Sequence, residues 1–215
     1  MDYAYRYGDR RRLYLNATNR CANRCEFCIR YRANEFGAAS LWGDGEGEEP
    51  DLEKLQDAVS RHGATAEVRE FVWCGYGEPT FRLDLITEAA PWLRSFRDDV
   101  AIRLNTNGQA CLIHRRDVMP ELAAAVDAVS VSLNAPTAAR YLELCRPDFS
   151  AFPRPQEVEA RPGLVWDAVL DFLRRAPGHF KQVQASVVGF SLTAAEVEQS
   201  RSLAHSLGVE RFRVR

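Results

Sequence analysis

Short strand-like runs alternate with longer amphipathic segments along this chain, and that alternation limits the fold more than any other feature. It is typical of βαβ units, in which a helix connects each strand to the next parallel strand. Runs rich in β-branched, aromatic or Leu residues predict six strands, at 13–16, 70–74, 101–105, 128–133, 183–188 and 211–214.

The intervening segments place apolar residues three or four positions apart, as in Leu52, Leu55 and Val59, which is the helical period. Helices are predicted over 51–61, 85–97, 115–126, 137–145, 164–175 and 194–207. Right-handed crossovers would wrap six strands into a partial, open (β/α)6 barrel of the TIM type. This is an α/β fold whose chemistry gathers at the C-terminal ends of the strands. A length of 215 residues with 46% hydrophobic composition favours a single domain over 1–215.

Two segments interrupt the alternation and are predicted to be loops, the acidic residues 43–50 and the proline-containing residues 147–162. Twenty-eight basic and thirty acidic residues leave no global positive charge to hold a polyanion such as tRNA. The sequence has no apolar run long enough for a secretory signal or a membrane span, so a cytoplasmic protein is expected. Six cysteines in such a reducing compartment indicate metal binding or buried thiols.

Three of the six cysteines, Cys21, Cys25 and Cys28, fall within eight residues after the first predicted strand. Their spacing also describes one face of a helix, but polar neighbours such as Asn19 and Arg24 indicate a loop. A structural zinc site normally needs four protein ligands, and no fourth Cys or His lies nearby. Three thiolates leave one metal position open, where an iron of an iron-sulfur cube can bind a small molecule.

The Cys-x3-Cys-x2-Cys pattern, with Phe27 before its last cysteine, resembles the radical S-adenosylmethionine (radical SAM) superfamily. The resemblance implies that Cys21, Cys25 and Cys28 hold a [4Fe-4S] cluster and that Phe27 lies by the adenine of S-adenosylmethionine. In that family the open iron is chelated by the amino and carboxylate groups of the cofactor's methionine moiety. The runs Asn-Ala-Thr-Asn-Arg-Cys and Phe-Cys-Ile-Arg also look like those of short radical SAM proteins associated with TatD-type nucleases.

The second predicted strand ends in Cys-Gly-Tyr-Gly-Glu-Pro-Thr, where Gly75 and Gly77 let the backbone approach a ligand and Glu78 supplies a carboxylate. Taken alone, this run is also an ordinary turn. Together with the cysteines it resembles the family's glycine-rich motif. The resemblance implies that Gly77 and Glu78 bind the positively charged amino group of S-adenosylmethionine, with Gly75 in the same cofactor-binding turn.

Polar residues also follow the third and fourth predicted strands, and by the same resemblance they are candidate cofactor contacts: Thr106, Asn107, Ser132 and Asn134. Asn and Ser are common turn formers, so a purely structural role is an open alternative for each. Val188 would lie against the adenine, or else belong to the barrel core.

The resemblance implies that an external one-electron reductant, flavodoxin-like or ferredoxin-like, supplies the electron that cleaves S-adenosylmethionine. The products are methionine and a 5'-deoxyadenosyl radical that abstracts hydrogen from an unidentified substrate. A small molecule is favoured over a protein or tRNA, and Arg30 or Arg32 is a candidate contact to its phosphate or carboxylate. Two alternatives stay open: a non-catalytic iron-sulfur electron carrier and a zinc-binding interaction module. The roles of Cys74, Cys111 and Cys145 are open between structural packing and a place at the active site.

Overall fold

The computed structural model describes residues 2–31, 35–36, 39–40, 49–62 and 67–215. Its main sheet has seven strands and is not closed. The strands are, in their order across the sheet, β1 Ala4–Tyr5, β2 Arg12–Leu15, β5 Glu70–Trp73, β6 Ala101–Thr106, β7 Ala128–Ser132, β8 Gln182–Val187 and β9 Arg211–Val214. A separate antiparallel pair is formed by β3 Glu35–Phe36 and β4 Ala39–Ser40.

Eight α-helices accompany these strands within the described residues. They are α1 Leu52–Arg61, α2 Leu83–Arg94, α3 Ala110–His114, α4 Met119–Ala125, α5 Ala138–Cys145, α6 Pro155–Ala160, α7 Gly163–Arg175 and α8 Ala194–Ser206. All six predicted strands are present, each end within one residue of its predicted position. The prediction of an α/β fold with an open sheet is therefore confirmed.

The described chain divides into two compact units. The first comprises Met1–Cys21, Ile29–Asn105 and Glu121–Ala128, and the second comprises Ala22–Cys28, Thr106–Pro120 and Val129–Arg215. Chain length and composition predict one domain over 1–215, and that remains a prediction.

In the first unit, β2 pairs in parallel with β5, and β5 pairs in parallel with β6. The unpredicted β1 adds an antiparallel edge, with Ala4 opposite Leu15. Alternate residues of β2, including Leu13 and Leu15, are fully buried, as the two-residue period of a strand requires. Helix α1 begins after Asp51, whose carboxylate accepts a hydrogen bond of 2.8 Å from the backbone N–H of Lys54.

In the second unit, β8 and β9 pair in parallel, and α8 begins with a capping box between Thr193 and Glu196. Helices α5 and α7 pack through Tyr141 and Trp166, whose ring centroids lie 5.2 Å apart. Side-chain packing on the buried faces of these two helices holds their C-terminal ends in position.

Two predictions for the helical segments were wrong in detail. The segment 115–126 begins its helix only at Met119, because Arg115 adopts a left-handed φ of 52° that ends a separate helix, α3. The segment 147–162, predicted as irregular, contains α6, where Pro155 occupies the first turn and Val158 is buried. Of the acidic loop at 43–50, only residues 49 and 50 lie within the described chain.

No helix among the described residues has both the length and the apolar character needed to cross a lipid bilayer.

Candidate functional site

The three clustered cysteines lie in a loop without helical structure, and each side chain is partly exposed. A backbone hydrogen bond of 3.0 Å from Cys28 N–H to the Cys25 carbonyl forms a tight turn between two of them. Within the described residues, no group of three or more His, Cys, Asp or Glu side chains could hold a single metal ion. In a four-iron cube each cysteine binds a different iron atom, so three ligands need not meet at one point.

The loop is fastened to the C-terminal end of α5 by backbone hydrogen bonds in the second unit. Arg24 N–H donates to the Cys145 carbonyl at 3.0 Å, and Glu26 N–H donates to the Leu144 carbonyl at 3.0 Å. The last carbonyls of a helix have no partner within the helix, so they are free to accept from another segment. Arg146 ends α5 with a left-handed φ of 45°. These hydrogen bonds to the end of α5 therefore determine the backbone path of the cysteine loop.

A buried side-chain triad joins the same two segments. Asn23 Nδ2 donates to the Tyr141 hydroxyl at 3.0 Å, and Gln109 Nε2 donates to that hydroxyl at 2.9 Å. Gln109 Nε2 also lies 3.2 Å from Asn23 Oδ1. All three side chains are at least 95% buried. Because an unpaired buried polar group is costly, the three residues hold one another in a single arrangement.

The sulfur of Cys145 lies beside the loop as well. Asn134 Nδ2 contacts Cys145 Sγ at 3.6 Å. Interaction with the neighbouring Cys145 thiol, together with loss of hydration, raises the pKa of the Cys25 thiol. Burial, followed by the nearby thiols of Cys145 and Cys25, raises the pKa of Tyr141. Cys145 is thus in contact with a predicted cluster ligand.

In the first unit, the glycine-rich turn lies directly against the segment that precedes Cys21. A Cβ atom on Gly75 would stand 1.8 Å from Asn16 Oδ1, and one on Gly77 would stand 2.3 Å from the Thr18 carbonyl oxygen. These separations are far below a normal contact, so only glycine fits. Glu78 N–H donates to the Arg20 carbonyl at 2.8 Å. The turn and the residue before Cys21 are therefore locked together.

Glu78 is buried and presents hydrogen-bond acceptors in this turn. One of its carboxylate oxygens accepts from Thr80 N–H at 3.2 Å and from the Thr80 hydroxyl at 2.7 Å. Asn16 Oδ1 is also buried and has no hydrogen-bond partner among the described residues. A buried carboxylate and an unpaired carbonyl oxygen match the amino group of S-adenosylmethionine, which is a cation with several N–H donors. These two hydrogen-bond acceptors therefore fit the cofactor that the resemblance implies.

The remaining candidate contacts lie in the second unit, and several have local turn partners. Thr106 Oγ1 accepts from Gly108 N–H at 3.0 Å, and Asn107 Oδ1 accepts from Gln109 N–H at 3.0 Å. Arg215 donates to the Ser132 hydroxyl at 3.1 Å. The bonds of Thr106 and Asn107 are the local turn contacts expected if these residues have a structural role, whereas the Ser132 bond joins distant parts of the chain.

Three predicted residues have other surroundings. Asn134 has a left-handed φ of 63°, and its buried Oδ1 has no hydrogen-bond partner in the described chain. Val188 and Phe27 are partly exposed. Val188 directly precedes the short 3-10 helix Gly189–Ser191. Arg32 lies outside the described residues.

Sequence reasoning missed Tyr141 and Gln109. Tyr141 follows the apolar period of its helix, which indicates core packing, and Gln109 sits in a turn after a strand with no pattern of its own. The role of this buried Gln and Tyr in holding the cysteine loop can be recognised only from their hydrogen bonds to Asn23.

Comparison with known proteins supports a family. The family model described as the Radical SAM superfamily matches residues 15–204. No curated protein sequence matches the chain.

Several solved structures share the fold. Streptococcus suis SuiB bound to the precursor peptide SuiA has a TM-score of 0.63 at 15% identity, covering 94% of this chain and 38% of that chain. SuiB bound to S-adenosylmethionine gives 0.61 at 15% identity, with the same coverage. HydG, a maturase of the [FeFe]-hydrogenase, gives 0.55 at 12% identity, covering 90% of this chain and 37% of that one. The chain thus spans well under half of the length of these structures.

Proposed function

Because the chain belongs to the radical SAM superfamily and is therefore an enzyme of that class, we propose that Cys21, Cys25 and Cys28 hold a [4Fe-4S] cluster. We propose further that the turn around Glu78 binds S-adenosylmethionine. Bound together, these groups supply an organic radical that removes a hydrogen atom from a substrate, once a flavodoxin-like or ferredoxin-like reductant has provided an electron.

The observation that carries the proposal is the 2.8 Å hydrogen bond from Glu78 N–H to the carbonyl of Arg20. Arg20 directly precedes Cys21, so the acidic turn and the first cysteine are linked through one rigid backbone contact. A zinc-binding module and an electron carrier have no use for a buried carboxylate in this place. An enzyme that must hold a cationic amino group beside an iron atom does need such a carboxylate.

The chain's own residues would divide the binding work by chemistry. The Glu78 carboxylate and Asn16 Oδ1 would accept hydrogen bonds from the cofactor's amino group. Gly75 and Gly77 bring the backbone close, because neither carries a Cβ atom. Phe27, Thr106, Asn107, Ser132, Asn134 and Val188 stay candidate contacts to the adenosine part.

Two substrate classes are in view. A small molecule is the class that the sequence favours, but SuiB was solved with a precursor peptide, which weakens that preference. The narrower likeness to TatD-associated proteins and a cytoplasmic location also remain predictions.

Anaerobic reconstitution with iron and sulfide, followed by reduction in the presence of S-adenosylmethionine, tests the proposal. We expect bound iron and sulfide, an electron paramagnetic resonance signal that changes when S-adenosylmethionine is added, and 5'-deoxyadenosine as a product. Cys21→Ala, Cys25→Ala and Cys28→Ala should each lose the brown cluster. Cys111→Ala, in α3, is the matched control and should retain it.

Three results would contradict the proposal, each in a different way. Zinc bound without sulfide would favour the interaction module. A cluster whose signal ignores S-adenosylmethionine would favour the electron carrier. A verified cluster that yields no 5'-deoxyadenosine would rule out the cleavage reaction.

A further inference from the structure

The buried thiol of Cys145 stands in an unusual position for a cysteine outside the ligand motif. Its side chain has no solvent exposure. Arg24 N–H and Glu26 N–H, on either side of Cys25, donate hydrogen bonds to the carbonyls of Cys145 and Leu144. These backbone bonds hold the loop in register with the helix end and place Cys25 beside Cys145.

A second contact, one helical turn earlier on α5, fixes the same register between the cysteine loop and this helix. Tyr141 and Cys145 are four residues apart on α5, so they lie on one face of the helix. Tyr141 accepts the hydrogen bond of Asn23, two residues before Cys25. Because Asn23 and Tyr141 are both buried and paired, sliding the loop along the helix would break these bonds at once.

Asn134 also contacts the sulfur of Cys145. Its Nδ2 group donates toward Cys145 Sγ at 3.6 Å, so this sulfur already accepts one hydrogen bond. The remaining polar capacity of Cys145 is its single S–H donor. When Cys25 is bound to iron as a thiolate it carries no proton, so only Cys145 can supply the hydrogen between the two sulfurs.

We propose that Cys145 is a positioning residue whose S–H donates a hydrogen bond to the iron-bound sulfur of Cys25 and thereby raises the reduction potential of the cluster. This inference rests on the proposed function, because it takes Cys25 to be a cluster ligand. A reduced cluster carries one more negative charge than an oxidised one. A donor hydrogen bond to a ligand sulfur stabilises that additional charge and makes reduction easier.

The test uses the full chain reconstituted anaerobically as wild type, Cys145→Ala, Cys145→Ser and Cys111→Ala. Iron and acid-labile sulfide per chain, the reduction potential from a mediated titration, and urea unfolding are measured for each. Cys145→Ala should bind as much iron and sulfide as wild type. Its equilibrium constant for reduction should fall about tenfold, a lowering of about 59 mV for a one-electron couple.

Cys145→Ser separates the hydrogen bond from packing. Its hydroxyl is a donor of similar size, so it should recover at least half of the shift in potential. Cys111→Ala, which removes a thiol near Asp117, should leave the potential unchanged.

Several outcomes overturn the inference. Full iron content with an unchanged potential in Cys145→Ala would show that Cys145 only packs. Loss of iron from a folded Cys145→Ala chain would make Cys145 a ligand. A serine variant shifted as far as the alanine variant would exclude the donor role. A wild-type chain that binds no iron and sulfide would overturn the proposed function as well, and so is distinguishable from the other results.

Discussion

The side-chain amide of Asn23 donates a 3.0 Å hydrogen bond to the hydroxyl of Tyr141, which lies 118 residues further along the chain. The same hydroxyl accepts a bond of 2.9 Å from Gln109. One oxygen atom thus fastens the cysteine loop to both α5 and the turn before α3.

Replacing Tyr141 with Phe should destabilise the fold by about 2 kcal/mol, because it leaves two buried N–H donors without their acceptor. The change should appear as a lower urea midpoint with an unchanged slope. Tyr31→Phe is the control, since Tyr31 is 55% exposed and its ring keeps the contact with Arg30. A Tyr141→Phe chain as stable as wild type would mean that the triad contributes nothing.

Gly77→Ala should cost about 1–3 kcal/mol of folding free energy through overpacking. The new Cβ would meet two backbone carbonyl oxygens, at 2.3 Å from Thr18 and 2.5 Å from Arg20, and backbone atoms cannot turn aside. Gly163→Ala is the matched control, because nothing lies within 4 Å of its Cβ position. Denaturant unfolding compares them, and equal stabilities would contradict the close approach.

Glu78→Gln should weaken binding of S-adenosylmethionine at least tenfold, because a charged hydrogen bond to an amino group is worth about 1.5–3 kcal/mol. Calorimetric titration of the reconstituted protein measures this. Glu88→Gln makes the same chemical change at an exposed position of α2 and should bind as wild type does. An unchanged affinity in Glu78→Gln would remove Glu78 from the proposed site.

Asp148 gives the cysteine loop a pH-dependent attachment. Hydrogen bonds from Ser150 and from Arg24 lower the pKa of Asp148 below its usual value, near 3.9. A lowered folded pKa means that the carboxylate stabilises the fold above its unfolded pKa, and that this contribution is lost as pH falls through the folded pKa.

Asp148→Asn should therefore be about 0.5 kcal/mol less stable than wild type at pH 7, and the difference should vanish once Asp148 is protonated. Urea unfolding at pH 7 and at pH values below 3.9 measures the change. Asp167→Asn, at an exposed position of α7, serves as the control and should show no such trend. A constant difference at all pH values would mean that the ion pair is not its cause.

The strands were predictable because β-branched and aromatic residues concentrate in them, so β5 and β9 appear in the sequence almost as they fold. Strand β1 was missed because two residues, Ala4–Tyr5, are too few to show a period. Helix α6 was missed because the prolines in and around it are typical of a loop, although Pro155 at the first helical turn is compatible with a helix.

At the candidate site, local motifs were readable and long-range contacts were not. The spacing of the cysteines and the Gly-Glu-Pro run stand in the sequence itself. The contact of Asn16 with Gly75 depends on how β2 and β5 pair, and the Asn23 to Tyr141 bond depends on packing across the second unit. No periodicity within either segment encodes such distances.

The attachment of the cysteine loop to α5 also sets an order of events during synthesis. A ribosome adding about 5–20 residues per second would make Tyr141 roughly 6–24 s after Asn23. During that interval the nascent loop has its three thiols but lacks the helix end that shapes it. The loop therefore reaches its folded form only after translation has passed Asp148, whose N–H donates to the Ala22 carbonyl.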